Sequence, residues 1–227
     1  MSLETFLALL GWGTLVGVDL VSVPQMMIAR PLVAGTVAGA ILGDVDAGLK
    51  IGVVFELLQY DILPVGAVRY PEYGPATVAA VATAHAATGA LGLGLGTVVG
   101  LVTGLVGGIA MHLLRRINSR IVHAAAATLE AGDPKALVRL HAGGLLRDGV
   151  RAALVTALGL GLAWAVPPHI NGVLSPRAVT LLAVAAVASA LAAGAGGTIR
   201  LVGRGPNLAR FAAGLGGGVV IVAGWLW

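Results

Sequence analysis

Cysteine is absent from the 227 residues, and charged and aromatic residues make up only 11% and 4% of the chain. The lack of cysteine excludes disulfides and thiolate metal sites. The scarcity of charge excludes a soluble domain of ordinary composition, in which about a quarter of the residues are charged. No segment has the composition of a separate soluble domain, so residues 1–227 are predicted to form a single membrane domain.

Sequence motifs of catalysis are also missing. The chain has no phosphate-binding GxxxxGK loop, no HExxH and no nucleophile elbow. Its histidines lie 11 to 28 residues apart, which is not the spacing of metal ligands. We therefore predict no catalytic residues, no metal site and no cofactor. Among the histidines, His85 lies in an Ala/Thr-rich segment and is predicted to be buried in a structural role.

Apolar residues are abundant, at 58% of the chain, and the mean hydropathy is +0.96. The apolar stretches are as long as helices and lack the period-two alternation of a membrane barrel. The sequence therefore predicts an all-α polytopic membrane protein. Its first apolar stretch, 6–23, is expected to be a retained span and not a signal peptide. Further apolar segments occur at 150–166, 176–196 and 211–227.

Two prolines and a tight turn divide the next segment. Pro24 and Pro31 each remove a backbone donor, so a helix must break between them. The apolar piece 31–43 extends about 20 Å at 1.5 Å per residue, short of the roughly 30 Å hydrocarbon core. After the turn at GDVDAG, a second short helix is expected at 49–60. Two half-length helices predict a re-entrant hairpin near residues 31–60, with Asp44 and Asp46 serving the turn.

Glycines recur every four residues in two segments. Such a stripe lets two helix backbones approach closely, which favours helix packing in lipid. Static packing and a sliding seam between moving parts are both compatible with the spacing. The stripes consist of Gly35, Gly39 and Gly43, and of Gly92, Gly96, Gly100, Gly104 and Gly108.

Positive charge is concentrated in the middle of the chain. Residues 1–80 hold seven acidic and three basic residues, whereas residues 115–151 hold seven basic and three acidic ones. The positive-inside rule places the second segment on the cytoplasmic side. Its pattern predicts an amphipathic helical hairpin near 115–150, with a turn at EAGDPK and an interruption at Gly143 and Gly144. This arm is expected to contact anionic lipids or to dock a partner subunit, and nucleic acid is not expected to bind.

Hydrogen-bonding side chains surround the predicted hairpin. Carboxylates and amides beside kinked backbone suit the hydroxyl groups of a sugar, and they also suit a cation. Glu56 ends an apolar run and is the hardest of them to explain as solvated. The set consists of Asp19, Gln25, Arg30, Glu56, Gln59 and Glu72.

Several of these segments resemble a known transporter family. The runs RPLVAGTVAGAILGD (30–44), GLKIGVVFELL (48–58) and LPVGAVRYPE (63–72) are similar to the IIC subunit of the mannose/fructose/sorbose-type sugar phosphotransferase system. HAAAATLEAGDPKALVRLH (123–141) extends the resemblance. It implies a multi-pass permease of the bacterial inner membrane that moves a hexose-type sugar by an elevator-like shift.

The resemblance also implies a hetero-oligomer and a substrate segment. A IID membrane subunit would pair with the chain, and cytoplasmic IIA and IIB proteins would supply phosphate, so that IIB and not this chain modifies the sugar. By position, Glu56, Glu72 and the turn from Pro64 to Gly66 match the substrate side of the family. Two alternatives stay open: a stand-alone ion-coupled transporter that uses Asp19 or Glu56, and a non-transporting membrane scaffold.

Overall fold

The computed structural model describes residues 1–60, 62 and 69–202, together with 205–206, 209–210 and 213–214. The secondary structure of these residues is helical, without strands. In chain order the helices are α1 (Leu3–Asp19), α2 (Pro31–Leu42), α3 (Val45–Gln59), α4 (Tyr73–Ala87), α5 (Gly89–Ala124), α6 (Ala126–Glu130), α7 (Pro134–Ala165), α8 (Pro167–Ile170) and α9 (Pro176–Val202).

Among the described residues, three helical stretches are long and apolar enough to cross a membrane: Gly89–Ala124, Pro134–Ile170 and Pro176–Gly196. They confirm the predicted all-α polytopic class. α1, predicted as a span over 6–23, has 17 residues and ends at Asp19. Most of the predicted last segment, 211–227, lies outside the described residues.

α4 is the centre of the bundle. It contacts α1, α2, α3, α5 and α7, and 13 of its 15 residues are buried. Its sequence, YGPATVAAVATAHAA, consists mostly of small residues, so neighbours can approach it from every side. Two buried hydroxyls, of Thr77 and Thr83, donate to the carbonyls four residues earlier at 2.7 and 2.8 Å. At 1.5 Å per residue, α4 is about 22 Å long, too short to cross a bilayer alone.

The two short helices predicted within 31–60 are present as α2 and α3. Gly43 ends α2 with a φ of 71°, and the Asp44 carboxylate then accepts from Ala47 N at 3.1 Å to begin α3. The turn therefore uses Asp44 structurally, as predicted. A Cβ at Gly35 would lie 2.7 Å from the Gly48 carbonyl oxygen, so the two backbones are in direct contact. The re-entrant placement of this hairpin in a membrane stays a prediction.

The longer glycine stripe packs α5 against α4. A Cβ at Gly96 would lie 2.6 Å from the Ala80 carbonyl oxygen, and one at Gly100 would lie 2.9 Å from that of Ala76. Contacts under 3 Å are tighter than side chains tolerate. The stripe is therefore a packing surface in this structure.

The arm near 115–150 differs from the prediction in one respect. The predicted interruption at Gly143 and Gly144 is wrong, because α7 runs unbroken from Pro134 to Ala165. Each glycine costs only about 1 kcal/mol in a helix interior, and good helix formers surround this pair. The arm therefore consists of the ends of two long helices joined by α6. Asp133, in the predicted EAGDPK turn, caps α7, since its carboxylate accepts from Lys135 N at 2.9 Å.

Candidate functional site

Polar side chains gather at one end of the bundle, where α1 and α3 end and α2 and α4 begin. We call this group the polar layer. It contains four residues predicted from the sequence and two that were not predicted to belong to the site. The polar layer consists of Asp19, Glu56, Gln59 and Glu72, together with Asp148 and Arg151 of α7.

A buried ion network occupies the centre of the polar layer. The Arg151 guanidinium donates from Nη1 to Glu72, from Nε to Asp148 Oδ1 at 2.8 Å, and from Nη2 to the Gly17 carbonyl oxygen at 2.9 Å. Asp148 also accepts from the Ser22 hydroxyl. The two carboxylates are each 2% exposed, and the arginine is 7% exposed. One guanidinium thus joins α1, α4 and α7 and balances one of two buried acidic charges.

Glycines make room for the Glu72 carboxylate. A Cβ at Gly107 would lie 2.6 Å from its Oε2, and a Cβ at Gly17 would lie 3.3 Å from its Oε1. The backbone is fixed as well, because Glu72 N donates to the Gly104 carbonyl oxygen at 2.8 Å. Glu72 is therefore enclosed between α1 and α5 directly before the first residue of α4.

Asp19 organises the loop that connects α1 and α2. Its two carboxylate oxygens accept from Met26 N at 2.7 Å and from Ala29 N at 3.0 Å. Gln25, which the sequence also places among the candidate ligands, lies exposed on this loop with a φ of 60°. The loop geometry thus depends on Asp19, whereas the Gln25 amide faces outward from the described fold.

Glu56 reaches from α3 to the beginning of α2. It forms an ion pair with Arg30 and accepts from Leu32 N at 3.1 Å. Leu32 N is one of the backbone donors that a helix start leaves without an internal partner. Arg30, at the N-cap position, provides no side-chain cap. The carboxylate that looked unexplained in the sequence therefore has two partners and supports the start of α2.

Two acceptor oxygens in the polar layer have no partner among the described residues: Gln59 Oε1 and Glu72 Oε1. Buried polar atoms are rarely left without a hydrogen bond, so each such atom indicates a place for a further donor. Gln59 lines a cavity of about 10 Å³ together with Leu20, Ala29, Tyr73 and Gly74. That volume holds about one water molecule. Gly66, the remaining predicted site residue, lies outside the described residues, in the segment between α3 and α4.

Sequence reasoning counted Arg151 among the seven basic residues of 115–151 and gave Asp148 no role. One signal was available, because the two residues are three apart at the beginning of the apolar segment 150–166, and such residues face each other on a helix. Their partner Glu72 is 79 positions before Arg151, a separation that the pattern of a single sequence does not reveal.

Comparison with known proteins identifies the family. Residues 4–214 match the family described as the sorbose-specific IIC component of the phosphotransferase system (PTS). The mannose-specific EIIC component of Escherichia coli K12 is 24% identical over 140 residues, which cover 60% of this chain and 52% of that protein. The fructose permease IIC component of Bacillus subtilis 168 is 25% identical over 196 residues, which cover 86% and 61%.

Solved structures share the fold. A structure described as a membrane protein aligns with a TM-score of 0.79 and 18% identity over 100% of this chain and 92% of its own. The cryo-EM structure of the mannose transporter ManYZ with microcin E492 aligns with a TM-score of 0.53 and 20% identity over 95% and 86%. The chain spans about half the length of the mannose-specific relatives it matches. Since the family match covers most of the chain, the protein belongs to the family of sorbose-specific IIC components of the phosphotransferase system.

Proposed function

We propose that this chain is the membrane-translocating subunit of a phosphoenolpyruvate-dependent sugar phosphotransferase system and carries a hexose-type sugar. Membership of the IIC family supports the transport role. The two partnerless acceptors, Gln59 Oε1 and Glu72 Oε1, support a ligand with several hydroxyl donors, such as a sugar. The cavity beside Gln59 has a volume of only about 10 Å³ in this structure, so the proposal requires the site to open when the sugar binds. These acceptors are the single observation that carries the proposed site.

The residues of the site have different proposed roles. Gln59 and Glu72 accept hydrogen bonds from sugar hydroxyls, and the turn that contains Gly66 completes the site beside them. Asp19 and Glu56 act on the sugar indirectly, since their oxygens hold the backbone from Met26 to Leu32. Gln25 contributes from the exposed loop.

The proposed partners follow from the family and not from surfaces in this structure. A IID subunit would sit beside the chain in a bacterial inner membrane, and cytoplasmic IIA and IIB proteins would provide the phosphoryl group. Phosphoryl transfer would then take place on IIB. We propose residues 1–227 as one permease domain, with 115–151 as its cytoplasmic arm in contact with lipids.

The test is sugar binding by the complex assembled with IID. Gln59→Leu removes one acceptor without changing charge and is expected to weaken binding by about 2- to 13-fold, the equivalent of one neutral hydrogen bond of roughly 0.5–1.5 kcal/mol. Asn171→Leu is the matched control, because it also replaces an amide by leucine, at an exposed residue outside the polar layer. Equal losses at both positions, or no loss at Gln59, would count against a site built on the buried acceptors.

Glu56→Ala separates the direct from the indirect role. If Glu56 only supports α2, the variant lowers thermal stability together with sugar affinity. A loss of affinity without a loss of stability would instead place Glu56 in contact with the sugar and correct the assignment given above.

One observation favours ion coupling as a second candidate function. Two buried carboxylates share the Arg151 guanidinium, so the network carries a net negative charge that a proton or a sodium ion would balance. Purified protein in liposomes distinguishes the two functions. Uptake driven by an ion gradient without a phosphate donor supports ion coupling, whereas dependence on the donor supports the phosphotransferase function.

A further inference from the structure

The arm borders an open cavity of about 540 Å³ between α5, α6 and α7, beneath the loop that follows α1. That volume lies in the range of ligand-binding cavities, about 300–1,000 Å³. Aliphatic side chains from all three helices form most of its wall, among them Leu114, Val122, Leu129, Leu137, Leu140 and Leu145.

Cationic side chains border this cavity. Arg147 Nε donates to Asn118 Oδ1 at 2.8 Å, and within the described part of the chain its Nη groups make no hydrogen bond. Arg115 lies beside Tyr70, with Nη2 3.1 Å from the phenol oxygen and its guanidinium carbon 5.6 Å from the ring centre. The carboxylate in the lining, Asp148, is already held by Ser22 and Arg151. Two arginines and one aspartate line the cavity, so its lining carries a net positive charge.

The outer surface of the arm is also apolar between its basic residues. Leu113 and Leu146 are 52% and 71% exposed and lie outside the cavity lining. Helices that mix exposed leucines with arginines and lysines are typical of the membrane interface. The excess of basic over acidic residues in 115–151 places this interface on the cytoplasmic side, where the lipid surface is negatively charged.

We propose that the arm cavity is a binding site for one anionic phospholipid. An acyl chain fills the aliphatic cavity, and the phosphate lies against Arg147 and Arg115. Phosphatidylcholine would also fill the cavity, but its trimethylammonium group offsets the charge of its phosphate beside Arg147, which is why an anionic headgroup is specified. The cavity shares Asp148 with the polar layer, but the proposed lipid site does not depend on the proposed transport of a sugar.

The first experiment is native mass spectrometry of the full chain in detergent, titrated with phosphatidylglycerol or phosphatidylcholine. We expect preferential retention of phosphatidylglycerol, and about fivefold weaker retention in Arg147→Ala, since a basic residue near a lipid surface contributes about 1 kcal/mol. Arg139→Ala is the control, because it removes the same charge from the same helix at a side chain that is 76% exposed and outside the cavity lining.

The second experiment fills the cavity. Gly144 lines it, and a Cβ there would meet nothing within 4 Å, so Gly144→Leu adds an aliphatic side chain without a clash at its Cβ. Gly149 is the matched control on the same helix, since its Cβ would also meet nothing and it lies outside the lining. We expect Gly144→Leu to remove the phosphatidylglycerol adduct and Gly149→Leu to keep it.

Three outcomes would overturn the proposal: equal retention of the two lipids, equal effects of the two arginine variants, or equal effects of the two glycine variants. A dimer that added phosphatidylglycerol does not dissociate would instead assign the cavity to an interface between two copies of the chain. Circular dichroism confirms in each case that the variant retains its helices.

Discussion

Replacing Arg151 by glutamine is expected to destabilise the protein severely. The side chain is 6% exposed and pairs with Glu72 and Asp148, each 3% exposed. It also donates to the Gly17 carbonyl oxygen at 2.9 Å. The variant would leave two buried carboxylates without their cation. Breaking a buried ion pair by removing one partner costs about 3–5 kcal/mol.

The assay is thermal unfolding of the detergent-purified protein, followed by the fluorescence of its four tryptophans. The loss corresponds to a decrease of roughly 6–20 °C in the unfolding midpoint, taking about 2–4 °C per kcal/mol for a chain of this size. Arg147→Gln is the control, one helical turn earlier. Its single hydrogen bond to Asn118 predicts a loss of only about 0.5–1.5 kcal/mol.

A double variant tests the cause of the Arg151 effect. Glu72→Gln combined with Arg151→Gln removes both charges of the pair, so one unpaired buried carboxylate disappears. We expect it to unfold at a higher temperature than Arg151→Gln alone. The reasoning is refuted if Arg151→Gln unfolds within about 2 °C of the wild type, roughly the effect of a surface substitution. It is also refuted if the stability losses of the two single variants sum to the loss of the double variant.

Two further perturbations test neighbouring features. Gly107→Ala places a methyl group 2.6 Å from the Glu72 carboxylate and is expected to cost about 1–3 kcal/mol by overpacking, whereas Gly161→Ala, which meets nothing within 4 Å, should leave the unfolding midpoint unchanged or higher. The Asp44 turn lies outside the three spans, and the hydrogen bond from His85, followed by that from Ala47 N, lowers the pKa of the Asp44 carboxyl below 3.8. Because the pKa of Asp44 is lower in the folded than in the unfolded state, its carboxylate stabilises the fold at pH values above the unfolded pKa of about 3.8. This contribution is lost as the pH falls from that value towards the folded pKa. Below pH 3.8, the unfolding midpoint should therefore fall more steeply with pH in the wild type than in His85→Leu. Parallel curves for the two proteins would show that His85 does not lower the pKa of Asp44.

The sequence was most informative about helix ends, which are determined by residues within a few positions of the end. Pro31 and Gly43 bound α2, and Asp44 begins α3, because proline, glycine and aspartate each act within a few residues of their own position. The glycine stripe of α5 was predictable for a related reason. Its spacing puts every member on one face of the helix, and that face has to pack closely against a neighbour.

Contacts between distant segments were beyond the sequence. Glu56 looked like an unexplained charge because its partner Arg30 lies 26 positions earlier, across the hairpin. His85 was predicted to be buried among alanines and threonines, but this prediction is wrong. It lies at the exposed end of α4, and its Nδ1 is 3.0 Å from the Asp44 carboxylate of the neighbouring turn. Composition around a residue predicts its helix, whereas burial depends on which end of that helix it occupies.

The continuity of α5 has a mechanical consequence. One half of this helix lies on α4 through its glycines, and the other half forms a side of the arm, with no break between Gly89 and Ala124. A continuous helix of 36 residues is about 54 Å long, so a displacement of one end is transmitted to the other. A load applied at the tip of the arm therefore acts on the contact with α4, directly beside the carboxylate of Glu72. A partner that binds the arm would therefore act on the buried centre of the protein through α5.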